Sequence, residues 1–197
     1  MTPPDVAAIF AVVLVFGVGS FIVLSSYNAV VALRQRIDKA WSNIDVVLKQ
    51  RHDQLPNLVT AVRGLMTFER DTLTRVTEAR TAYKPTALIH DQASTSEATS
   101  AAIRSLFAVV ERYPDIKAGA NVLDLQDEIE RLEGMIADRR ELYNDQVYRF
   151  NTRIRQVPGA LLAPLFGWRP REFFAVEPGD AARPDTDLGS TSRRSPR

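Results

Sequence analysis

"KQRHDQLPNLV", Lys49 to Val59, is the stretch on which the architecture of this chain turns. Leu48, Leu55 and Val59 carry one apolar stripe through it at helical spacing, yet Pro56 sits inside. Proline has no amide N–H and clashes with the carbonyl four residues back, here that of His52. Either one long helix bends at Pro56, or Asp53 caps a new helix whose first turn holds the proline. The stripe stays in phase across the proline, and no glycine falls between Asn43 and Arg63. Both facts favour a bend over a reversal.

Upstream lies "VAAIFAVVLVFGVGSFIVL", Val6 to Leu24, 19 residues with one serine and no charge. At ~1.5 Å per residue it covers roughly 28 Å, close to the hydrocarbon thickness of a bilayer. A signal peptide is the competing reading. The leading "MTPPD" holds no Lys or Arg, however, and the apolar run exceeds the usual ~7–15 residues of a cleaved signal. The expectation is a retained transmembrane helix over 6–26, after a short extracytoplasmic N-terminus over 1–5. Arg34, Arg36 and Lys39 follow the span and no basic residue precedes it, so the positive-inside rule puts the C-terminal part in the cytoplasm. The expected location is the bacterial cytoplasmic (inner) membrane, single-pass, N-terminus outside. A bend at Pro56 lets the first helix project away from the lipid, whereas a reversal returns the next helix toward it.

Downstream the pattern stays helical. Leu33, Ile37, Trp41, Ile44 and Leu48 begin a stripe that runs on through Val62, Met66, Leu73 and Val76. Ile103, Leu106, Phe107 and Val110 mark a shorter helix. A second long stripe runs from Leu125 through Ile129, Leu132, Ile136, Tyr143, Val147, Phe150, Ile154 and Val157, interrupted by Arg139. No stretch alternates with period two, so no sheet is expected. The fold class expected is all-α: a transmembrane helix, then an antiparallel bundle of three to four long helices over 27–176. A polar loop is expected over about 84–98, a turn at "YPDIKAGAN", and a disordered tail over 177–197 rich in Pro, Ser and Arg. The short pieces "ALLAPLFGW" and "REFF" either close the bundle or touch a partner, and an exposed apolar patch there favours the partner.

Composition excludes several chemistries. The chain of 197 residues carries 25 Lys plus Arg against 24 Asp plus Glu and no cysteine. Such a balance names no nucleic-acid partner, and thiolate nucleophiles, disulfides and Cys-based metal sites are ruled out. The two histidines build nothing. Lys49 stands three before His52 and Ala87 three before His90, so the Glu-x-x-His of di-iron bundles is missing. His52 and Asp53, adjacent, point about 100° apart on a helix. No catalytic residue, cofactor-binding residue or metal site is expected, and no cofactor. The acids from Asp124 to Glu141 read as a solvated helix face with weak ion pairs. The Tyr143-Asn144 and Phe150-Asn151 pairs are seven residues apart and so share a helix face. An asparagine buried mid-helix needs partners for its amide, which makes these either register-setting core groups or a partner-binding strip.

Taken together, "YNAVVALRQRIDKAWSNIDVVLKQRHDQLPNLVTAVRG", "FERDTLTRVTEAR", "ERYPDIKA", "LQDEIE", "RRELYNDQVYRFNTRI" and "FGWRPREFF" resemble the LemA family of bacterial membrane-anchored proteins. The likeness covers about 27 to 176. It implies an N-terminal anchor followed by a long-helix bundle, and it brings no reaction or substrate. Some members are linked to organising bacterial membranes. The family-motif positions, structural or partner-binding, are Tyr27, Asn28, Trp41, Asp45, Arg51, Asp53, Pro56, Asn57, Tyr113, Pro114, Tyr143, Asn144, Phe150 and Asn151; His52 lies outside the pattern. This chain departs at "GAN" after the YPD motif, at Gly134 where an Asn is usual, and at Val157-Pro158 in place of Phe-Pro. The function expected is a membrane-anchored scaffold or accessory protein that binds an unidentified protein partner. The alternative is a membrane-linked sensor, and an unrecognised enzyme stands third. Gly17, Gly19 and Ser20 leave room for close helix approach, so a homo-oligomer is the other partner class considered.

Overall fold

Pro3 to Ala61 form one helix, α1, of 59 residues, about 88 Å long at 1.5 Å per residue. The computed structural model describes residues 3–62 and 69–175. Over the described residues the chain is all-helical, with α2 (Arg70–Ala82), α3 (Ile89–Val110), the single turn α4 (Pro114–Lys117), α5 (Ala120–Arg155) and α6 (Gly159–Phe166) after α1. Pro56 lies inside α1 and the helix passes through it without reversing. The expected tail over 177–197 lies outside the described residues, as does Met66 of the stripe. The second stripe ends before Val157, since α5 stops at Arg155 and Val157 is exposed.

The first part of α1 is bare. From Ile9 to Leu24 its large apolar side chains stand exposed, except the half-buried Val23, and burial begins at Ser26 and Val30. Among the described residues this is the one helix long and apolar enough to cross a membrane.

Past Ser26 the same helix enters the bundle. α5 runs antiparallel to it: Trp41 packs on Tyr143, and ten residues further along α1, Arg51 meets Glu133, ten residues back along α5. Two cores fill the interface. The one nearer the span joins Val30, Ile37, Ile44 and Leu48 of α1 to Tyr143, Val147, Phe150 and Ile154 of α5, with Phe174 added. The far one joins Leu55, Leu58 and Val62 to Leu73 and Val76 of α2, Ile103 and Leu106 of α3, and Ile129 of α5. Burying each such aliphatic side chain contributes about 1.5–3 kcal/mol, which outweighs the helix-propensity terms.

The loop expected over about 84–98 is shorter. Only residues 84–88 are non-helical, and α3 already begins at Ile89. The inner face of its first turns is mostly polar: Gln92, Ser96, Thr99 and Ser100 are buried beside the single apolar Ala93. Gln92 donates from its amide to the carbonyls of Pro85 and Ala87 at 3.0 and 3.2 Å, which ties the loop to the helix start. The "YPDIKA" turn is the single-turn α4, with Pro114 in its first turn, where the missing N–H costs nothing.

Candidate functional site: two buried polar clusters

The first cluster centres on Arg51, whose side chain is 4 % exposed. Its guanidinium donates to Glu133 Oε1 at 2.6 Å, to Ser100 Oγ at 2.8 Å and to Ser96 Oγ at 2.9 Å. Ser100 in turn donates to Glu133 Oε2 at 2.6 Å. One charge from α1, one from α5 and two hydroxyls from α3 thus satisfy one another. This explains why the inner face of α3 is built of small polar residues: a larger side chain at 96 or 100 would occupy the guanidinium's place. A buried pair of this kind contributes little net stability when intact but costs several kcal/mol when halved. It specifies how three helices meet.

The second cluster is made of Asn144 and Asn151 on α5. Asn151 donates to the carbonyl of Arg171 at 2.9 Å and accepts from the Arg171 N–H at 2.8 Å. Asn144 does the same with Phe174, at 3.2 and 2.8 Å. The spacing follows from geometry. Seven helical residues rise about 10.5 Å, and the three steps from 171 to 174 in an extended chain span about 10 Å. Two asparagines two turns apart therefore read the backbone of an extended strap, one peptide edge each. Between them Tyr143 donates its hydroxyl to the Glu172 carbonyl at 3.0 Å. Trp41 closes the other side, 5.7 Å from Tyr143 and 5.8 Å from Phe174 between ring centres. Burial, with Glu172 and Asp38 adding to it and Arg171 opposing, pushes the Tyr143 phenol up to about 12.

The remaining motif residues are spread along the bundle. Tyr27 stacks near Phe166 and Trp168 at ring distances of 5.1 and 6.2 Å, while Asn28 beside it is exposed. Asp45 accepts from the Tyr83 hydroxyl at 3.4 Å; burial first, then this carboxylate, raises that phenol to about 12. Asp53 is exposed and meets His52 at 3.2 Å, and Asn57 donates to Gln54 at 3.0 Å. Pro56 is half-buried, Phe150 lies in the first core, and Tyr113 packs against the second core just ahead of Pro114. These groups do not converge. Among the described residues no three of His, Asp and Glu are placed to hold a metal ion. Sequence reasoning missed Ser96, Ser100 and Glu133. The signal was present in the i, i+3, i+4 spacing of Ala93, Ser96, Ser100 and Ile103, but it is written in small residues rather than apolar ones.

An apolar N-terminal helix running unbroken into an all-helical bundle fits a single-pass helical membrane protein. The LemA family model matches residues 40–187, and the chain belongs to that family. It is similar to protein LemA of Metamycoplasma hominis, 29% identical over 145 residues, covering 72% of this chain and 65% of that protein. It is also similar to magnetosome protein MamQ 2 of Paramagnetospirillum magneticum, 34% identical over 77 residues, covering 39% of this chain and 28% of MamQ. MamQ of Magnetospirillum gryphiswaldense matches at 29% over the same length. The matches thus span under two thirds of these relatives' own lengths.

Proposed function

We infer that this chain is a membrane-anchored scaffold, an accessory protein that binds other membrane-associated proteins and carries out no reaction of its own. The observation that carries this is the continuity of α1. Span and bundle share one helix, so the bundle is held at a set height and rotation relative to the bilayer. A flexible linker would give no such control. The names of the relatives, magnetosome protein and LemA, attach no reaction to them. The asparagine strip is occupied by the chain's own strap, so the surface offered to a partner is the outer side of α5. There Tyr148 stands exposed among Asp138, Arg140 and Glu141, and Leu142 is exposed about 120° around the same helix.

By the charge rule the bundle lies in the cytoplasm of a bacterium and the N-terminus outside its inner membrane. A cysteine introduced by Ser192→Cys then resists an impermeant maleimide in intact cells; labelling there would put the bundle on the opposite side. The scaffold reading is tested by photo-crosslinkers at Leu142 and Tyr148 in native membranes, read by mass spectrometry. A reproducible foreign membrane protein from both positions supports it. Adducts confined to this chain's own residues would sink it. The sensor alternative uses the same continuous helix as a lever, and it requires Pro56→Ala to change a response while the bundle stays folded.

A further inference from the structure

α6 is an apolar helix with its apolar side turned outward. Positions two residues apart on a helix differ by about 200° in direction, and α6 is divided that way. Gly159 and Ala163 face the bundle, while Leu161 and Leu165 on the other side are 71% and 76% exposed. Its position along the molecule is set by the α1–α5 register. Extending the Trp41–Tyr143 and Arg51–Glu133 pairings brings Arg155, the end of α5, level with about residue 29 of α1, and Phe166 at the far end of α6 touches Tyr27. α6 therefore lies where the bare span stops and burial begins.

Two other features meet there. Tyr27, Phe166 and Trp168 form an aromatic cluster, the residue type that gathers at membrane–water interfaces. Beneath it opens a cavity of about 330 Å³ lined by Tyr27, Phe166, Trp168, Arg34, Arg169 and Arg171, among others. Arg171 reaches Asp38 at 3.4 Å. Arg34 and Arg169 have no carboxylate partner among the described residues.

We propose that α6 and this cavity form an interfacial lipid site: Leu161 and Leu165 sink into the bilayer surface beside the span, and Arg34 and Arg169 hold the phosphate of an anionic phospholipid. The apolar face continues the lipid-facing surface of α1 and the arginines sit at headgroup depth, so one occupant satisfies both. The assignment rests on α1 being the membrane anchor.

The absence of native cysteine permits a direct test on the full chain in vesicles of phosphatidylcholine with phosphatidylglycerol. An environment-sensitive fluorophore is placed by Phe16→Cys, Leu161→Cys, Leu165→Cys or Tyr148→Cys, one at a time, and quenched by brominated lipid. Quenching at 16, 161 and 165 but not at 148 is expected. Quenching at 16 alone overturns the lipid site and leaves the anchor standing; no quenching at 16 overturns the anchor itself. Brominated phosphatidylglycerol should quench at 165 more than the phosphatidylcholine analogue at equal mole fraction. Arg34→Gln and Arg169→Gln should each reduce that preference, on the order of fivefold per arginine. Equal quenching by both lipids in the unaltered arginine background would overturn the headgroup assignment. Crosslinking between copies through 165 without quenching would assign α6 to self-association instead.

Discussion

Asn151 and Arg171, twenty residues apart, close a ring of two hydrogen bonds, amide to carbonyl at 2.9 Å and backbone N–H to amide oxygen at 2.8 Å. With the matching pair at Asn144 and Phe174, the two asparagines hold the closing strap through its backbone at 171 and 174. Asn151→Ala or Asn144→Ala leaves a strap N–H and carbonyl unpaired at each site. Each should cost about 1–3 kcal/mol and release 169–174 to protease while α5 stays helical. Limited proteolysis with peptide mapping reads this. Asn151→Asp should behave nearly as badly, since a carboxylate accepts from the Arg171 N–H but faces its carbonyl with no proton to give.

Arg51 and Glu133 are expected to be strongly coupled. Arg51→Met leaves Glu133 without its counter-ion and with only the Ser100 hydroxyl donating to it. Because that carboxylate is 28% exposed, the loss should be roughly 3 kcal/mol, the low end for a halved buried pair. Glu133→Gln should cost a similar amount: the amide oxygen still accepts a hydrogen bond, but the guanidinium, only 4% exposed, loses its counter-charge. The double variant Arg51→Met/Glu133→Gln should cost less than the two single losses added together. Thermal unfolding in detergent micelles measures all three, and simple additivity would contradict a shared network.

Stability should fall steeply at high pH. The Tyr143 phenol is raised to about 12 in the folded chain against about 10 unfolded. Between those values the unfolded chain has lost the proton that the folded chain keeps. The contribution is therefore whole below about pH 10 and disappears as pH rises to about 12, at a slope approaching 1.4 kcal/mol per pH unit. Ionisation also removes the donor that Tyr143 offers the Glu172 carbonyl. Tyr143→Phe should be less stable at neutral pH yet flatter between pH 10 and 12, as followed by circular dichroism.

Gly134→Ala should stabilise the bundle by about 0.5–1 kcal/mol. Gly134 lies mid-α5, exposed, and a Cβ there meets no atom within 4 Å. Gly159 is the opposite case, since a Cβ would collide with the Arg153 carbonyl oxygen. Gly159→Ala should displace α6 and weaken quenching at Leu165 without lowering the melting temperature of the α1–α5 core. Gly167 ends α6 in the left-handed region at φ 64°, so Gly167→Ala is expected to be strained as well.

The long elements were legible in the sequence because their stripes are apolar and long. The uninterrupted run before Leu24 and the in-phase residues on both sides of Pro56 together describe α1. The start of α3 was not legible, because its inner face was chosen to suit a guanidinium and so lacks the hydrophobic period that marks a helix. The shared face of Asn144 and Asn151 was visible in their seven-residue spacing. Their partner was not, since a backbone strap has no side-chain signature. "ALLAPLFGW" stood out as apolar, but that its leucines face outward depends on Gly159 and Ala163 taking the inward side, a tertiary fact.

The most direct measurement is the distance along α1 across the bundle's edge. Spin labels introduced by Phe21→Cys and Val46→Cys, both at exposed positions, lie 25 residues apart, about 38 Å along an unbroken helix. Pulsed electron paramagnetic resonance on the chain in lipid nanodiscs should give one narrow distribution near that distance. A broad or markedly shorter distribution would mean that span and bundle are joined by a hinge, and the bundle would then have no set position over the membrane.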